Sequence, residues 1–188
     1  MKNIFRIFNI SVLMAVLSLS FIACNRSSAD EDDHDEEQIT NIVLKLTDTA
    51  DRTTAEYNTK VNSKTFPNIK LKNGHTYDVT THFFHEGKDV TSQIVAAKDE
   101  HFLVYNFPKT DLVLSRTDEA NSTRKDGAKV GLKTTWKVNK TKTEEGGASL
   151  ILTLFHEPAK VSEDKDKTAW GKVTGGHEDA TGMYNIVE

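Results

Sequence analysis

The sequence predicts an all-β fold: a two-sheet antiparallel sandwich of immunoglobulin-like kind with one short helix, preceded by a disordered acidic tether. Three observations predict it. From Thr40 onward apolar residues recur with a period of two, the runs are bounded by Gly, Asn, Asp and Pro, and 22 threonines suit exposed strand faces. A strand with one apolar face needs a second sheet to cover it, so two stacked sheets are the simplest arrangement. The expected domain, residues 39–188, is long enough to build a sizeable core without disulfides.

In chain order, Ile42, Leu44 and Leu46 alternate with Asn41, Val43 and Lys45, and Thr54 to Val61 sets Ala55, Tyr57, Thr59 and Val61 on one face. Lys72-Asn73-Gly74 is a hairpin turn between Ile69-Lys70-Leu71 and the long run His75 to Glu86. In that run Tyr77, Val79 and Phe83 mark the inward face and His82 points outward. Asp89 to Lys98 breaks the pattern: Val90, Ile94 and Ala97 fall at helical spacing behind an aspartate able to cap, which predicts the helix. Further strands are expected at His101 to Phe107, Leu112 to Arg116, Val130 to Val138, Ser149 to His156 and Met183 to Val187, eight or nine in all, with Trp136 in the core. Asp118 to Lys129, Asn139 to Gly147 and Ala159 to Gly176 read as long polar loops, the last carrying Trp170 as a free aromatic. The first has oxygen donors but lacks the alternation of a calcium loop and holds Arg124 and Lys125, so it reads as an exposed hairpin loop.

Ahead of the domain, Lys2 and Arg6 accompany an apolar run from Ile7 to Ile22, too short for a spanning helix but suited to a secretory signal. It ends Ser20-Phe21-Ile22-Ala23-Cys24, which resembles a bacterial lipobox. Residues 1–23 are therefore expected to be a lipoprotein signal peptide, and Cys24, the chain's single cysteine, the lipidated, palmitate-bearing start of a 165-residue mature chain. Asn25 is not the aspartate that retains lipoproteins in the inner membrane, which points to the outer membrane. Asp30 to Glu37, DEDDHDEE, crowds seven acids around His34, and their repulsion keeps the segment solvated, so residues 24–38 read as a tether. The run resembles the acidic export signal of Bacteroidota surface lipoproteins, which implies the cell surface, with the periplasmic face of the same membrane as the alternative. A formal charge of −4 argues against phosphate tracking, so nucleic acid is not an expected partner.

No nucleophile elbow, phosphate loop, dinucleotide fingerprint, HExxH or CxxC motif occurs, and the expectation is a binding protein rather than an enzyme. Seven histidines stand out: His34, His75, His82, His85, His101, His156 and His177. His82 and His85, three apart on a strand, make a poor chelate. His101 opens a strand and His156 closes another, so both can reach one rim of a sandwich where the loop Gly175-Gly176-His177-Glu178-Asp179 also arrives. Two or three imidazoles with a carboxylate suit zinc or copper. The candidate metal ligands are thus His101, His156, His177 and Glu178, weighed against each histidine simply capping a strand.

Taken in order, Gln38 to Thr47, Asp99-Glu100-His101-Phe102, Gly131-Leu132-Lys133-Thr134-Thr135-Trp136, Leu154-Phe155-His156-Glu157-Pro158 and Gly175 to Asp179 resemble a family of small Bacteroidota outer-membrane lipoproteins often labelled as type 1 periplasmic-binding-fold proteins. The label would imply a large α/β fold, which the absence of βα alternation contradicts. The resemblance implies an envelope lipoprotein that accompanies a TonB-dependent outer-membrane receptor. Asp48-Thr49-Ala50 also resembles the Bacteroidota O-glycosylation tripeptide. The functional expectation is a lipid-anchored protein that binds a transition metal or metal complex as an accessory to uptake. The alternative is a structural or adhesive surface module that meets a protein or glycan.

Overall fold

The computed structural model describes residues 38–141 and 147–188, so the expected signal peptide, Cys24 and the tether with His34 lie outside the described residues. The described chain runs β1 (Asn41–Asp48), β2 (Thr54–Lys60), β3 (Asn68–Lys70), β4 (Thr76–His85), β5 (Lys88–Asp89), α1 (Thr91–Ala96), β6 (His101–Asn106), β7 (Thr110–Arg116), β8 (Lys133–Thr141), β9 (Leu150–His156), β10 (Lys160–Asp166), β11 (Ala169–Thr174) and β12 (His177–Val187). One sheet has the order β2-β1-β4-β8-β7 with β5 on the end of β4; the other has the order β10-β11-β6-β9-β12-β3. All pairings are antiparallel except β3 with β12.

The period of two becomes an inward and an outward face. Ile42, Leu44 and Leu46 from β1 and Tyr77, Val79 and Phe83 from β4 meet Leu103, Tyr105, Leu152, Leu154 and Tyr184 of the second sheet in one hydrophobic core. Trp136 on β8 is fully buried, and the edges of Tyr105 and Phe107 face its ring with centroids 6.1 and 5.1 Å away. Two tyrosine hydroxyls carried inward are paired across the sheets. Tyr184 donates its hydroxyl to the Ile42 carbonyl at 2.9 Å, and Tyr105 donates to the Gly131 carbonyl at 2.7 Å while joined to the Thr81 hydroxyl. Helix α1 is a single turn and a half with Ile94 buried, and Asp89 accepts the Thr91 N–H in front of it.

Some sequence expectations change. The Lys72-Asn73-Gly74 turn, expected to close a hairpin, instead carries the chain from one sheet to the other, because β3 pairs with β12 while β4 pairs with β1 and β8. The segment 159–176, read as a loop, is the β10–β11 hairpin, and the described residues hold twelve strands rather than eight or nine. The hairpin was hidden because β10 (KVSEDKD) is exposed at a sheet edge and carries no apolar face, so no burial pattern marks it. Trp170 within it is not free: it packs half-buried on the core with the Lys165 ammonium 5.0 Å above its ring. The segment 118–129, expected as an exposed loop, stays irregular apart from a 3₁₀ turn at Ala120–Ser122 and one bridge between Thr123 and Lys129, but it is partly buried, with Ser122 and Arg124 inside. Its Asp118 carboxylate is buried and accepts the N–H groups of Leu132 at 2.8 Å and Gly131 at 3.1 Å, which leaves it a structural brace.

Candidate metal centre

The strand register decides the site. In the second sheet β9 lies between β6 and β12, and His156 is the direct partner of His101 on one side and of His177 on the other. Residues directly opposite in adjacent strands project from the same face of the sheet, so three histidines far apart in sequence form one row at the rim. The rings of His101 and His156 stack at 4.9 Å and 9°, and His177 meets His156 edge-on at 5.0 Å.

The carboxylate that completes the row is Asp179. Pairing of β12 with β9 shifts register between Glu178 and Ala180, a β-bulge that leaves Asp179 as the extra residue and swings its side chain into the rim. Its side chain is only 7% exposed. The turn that delivers His177 is equally constrained: Gly176 has φ +76°, and a Cβ there would lie 2.4 Å from the His156 carbonyl oxygen. Only glycine allows the β11–β12 turn to lie against the end of β9.

Three donor atoms face a common point. His156 Nδ1 and His177 Nε2 are 3.3 Å apart, His177 Nε2 and Asp179 Oδ1 are 3.5 Å apart, and His156 Nδ1 and Asp179 Oδ1 are 3.7 Å apart. A tetrahedral ion with bonds of about 2.0–2.1 Å places its ligand atoms about 3.3–3.4 Å from one another, which this triangle approaches without rearrangement. Among the described residues this is the group of histidine and acidic side chains close enough to hold an ion.

The atoms turned away from that point have their own partners. His156 Nε2 faces Glu100 Oε2 at 3.6 Å, and Asp179 Oδ2 faces His101 Nε2 at 3.4 Å. His101 Nδ1 donates to the Ala97 carbonyl at 3.0 Å, since a carbonyl only accepts, and this fixes the ring's orientation. The Asp99-Glu100-His101 step is itself clamped: Arg124 donates to the His101 carbonyl at 3.0 Å, Lys125 N–H to Asp99 at 2.6 Å, and Glu157 N–H to the Glu100 carbonyl at 2.6 Å.

Of the expected ligands, the structure brings His156 and His177 into the triangle. It sets His101 behind Asp179, with its Nε2 toward the far carboxylate oxygen. Glu178 is exposed and accepts the Thr181 hydroxyl at 3.3 Å, outside the triangle but on the wall of the adjoining cleft. Asp179 and Glu100 were missed. Each stands one or two residues from a chosen histidine, but alternation alone does not reveal a bulge, and Asp179 reaches the rim only because of one. His75, His82 and His85 lie elsewhere, pairing with Asp48, Asp89 and the Gln38 carbonyl respectively. The chain matches no family model, no curated protein and no solved structure.

Proposed function

We propose that this chain is a non-enzymatic lipoprotein, anchored in the outer membrane through Cys24, that binds a transition-metal ion such as zinc or copper through His156, His177 and Asp179. The observation that carries the reading is the donor triangle with edges of 3.3, 3.5 and 3.7 Å, closed by a carboxylate whose side chain is only 7% exposed. Two imidazoles and one carboxylate are a borderline donor set that favours zinc and copper over calcium or magnesium. Glu100 acts through His156 by facing its far ring nitrogen, and the His101 ring packs behind Asp179. The lipobox-like Ala23-Cys24 and the acidic run that follows support a surface-exposed, tethered protein handing metal to an envelope receptor.

The test is calorimetric titration of the full chain in detergent with zinc and with copper, beside a His156→Ala/His177→Ala variant that keeps the acidic run. The expected result is a tight single site lost in the variant. Equal affinity in both proteins would sink the reading, because all binding would then come from the acidic run.

A further inference from the structure

The metal site has one closed side and one open side. On the closed side the His101 ring lies flat against His156 at 4.9 Å and its Nε2 backs Asp179, while Glu100 takes the far nitrogen of His156. On the open side His177, Glu178 and Asp179 line a cleft of about 330 Å³ together with Gln38, Thr40, Val61 and Asn62. That volume falls at the lower end of the range for small-ligand pockets, about 300–1,000 Å³, and exceeds the need of a single coordinated water.

Resting on the metal reading above, we propose that the bound ion keeps coordination positions open to this cleft and there takes up a small amino-acid-type chelate through its amine nitrogen and carboxylate oxygen. Three protein donors leave a four-coordinate ion one position short and a five- or six-coordinate ion two or three short. A divalent ion with two neutral imidazoles and the Asp179 carboxylate retains one positive charge, which one carboxylate of the chelate neutralises. Glu178 on the lining repels a second negative charge and can accept an amine N–H, and Asn62 and Gln38, also on the lining, carry amide N–H groups able to donate to the chelate's carboxylate. Coordinated water leaves as the chelate enters, and the ammonium proton is released to solvent as its nitrogen binds. The cargo is therefore a metal chelate rather than a bare ion.

The test uses the full chain in detergent loaded with cobalt(II), whose visible bands report coordination, with glycine and oxalate as probes. Glycine is expected to shift the bands saturably, with oxalate weaker by at least about tenfold, the direction set by repulsion from Glu178. Glu178→Gln is expected to narrow that gap while leaving cobalt affinity itself within about twofold, because Glu178 lies outside the donor triangle. Bands unmoved by glycine, or both probes merely stripping cobalt from the protein, would overturn the chelate proposal while leaving the metal site standing. A chain whose cobalt spectrum is that of its His156→Ala/His177→Ala variant would overturn both.

Discussion

The two ends of the sandwich each set histidine against buried aspartate, and they differ in what satisfies the acid. Where β1 stops, Asp48 is 3% exposed and accepts the Ala50 N–H at 2.9 Å and the His75 ring nitrogen at 2.7 Å. Where β1 starts, Asp179 shares one oxygen between His156 and His177, and its other oxygen faces the His101 ring nitrogen at 3.4 Å. Donors supplied by the backbone make a carboxylate part of the scaffold, because removing either partner strands a buried polar group. A carboxylate surrounded by ring nitrogens instead holds a place that a cation fills best. The difference teaches that a histidine–aspartate contact by itself is no guide to function; what matters is whether the chain has already supplied the donors.

The comparison breaks most sharply at Asp179. Asp179→Asn is expected to lower zinc affinity by more than about 100-fold, beyond the range for a residue that only supports a ligand, with thermal stability unchanged or raised. Titration alongside a melting curve checks both halves, and a variant that kept its affinity would remove the distinction between the two ends. Next come the residues behind the ligands. Glu100→Gln and His101→Phe are each expected to weaken zinc binding by about 10–100-fold without abolishing it. Gly176→Ala is expected to do the same by displacing His177, because its Cβ would meet the His156 carbonyl at 2.4 Å.

At the other end the same chemistry is expected to report on stability alone. Asp48→Asn should cost about 1–3 kcal/mol in denaturant unfolding, from donors left without an ionised acceptor, with zinc affinity unchanged. Burial pushes the Asp48 carboxyl up, but the Ala50 N–H and the His75 ring outweigh it and hold it below its ordinary value of 3.8. A carboxyl depressed in the folded state contributes stability above its unfolded value and loses it as pH falls through the folded one. The native chain is therefore expected to lose stability below a pH of about 4, and Asp48→Asn to lose less over the same range, as acid titration of the unfolding midpoint will show. The smallest effect is expected at exposed Asp51, held at about 2 by hydrogen bonds from Thr53 and by Lys72: Asp51→Asn should leave both the midpoint and zinc affinity unchanged.

Much of this architecture was legible in the chain. Alternation marked β1 and β4, and Val90 and Ile94 announced α1, because each element buries an apolar face. The Asn73-Gly74 signal marked a turn correctly but not its use, since β3 and β4 join different sheets rather than a hairpin. The β10–β11 hairpin escaped because an exposed edge strand obeys no burial pattern. The site was half legible. His156 stood out as a histidine at a strand end and His177 as one in a loop arriving at the same rim, whereas Asp179 looked like one more acid in an acidic chain, and Glu100 and Asp99 like a solvated pair before a strand.

The sequence by itself determined the all-β class, the inward faces and the single helix, since these follow from the spacing of neighbouring residues and the cost of leaving apolar side chains in water. Only the tertiary structure decided that His101 and His177 both face His156, and that Asp179 rather than Glu178 joins them. Register between distant strands is a property of the whole sheet. A one-residue bulge, stabilised by long-range pairing and by the close approach of Gly176 to β9, re-aims a side chain in a way that no local pattern records.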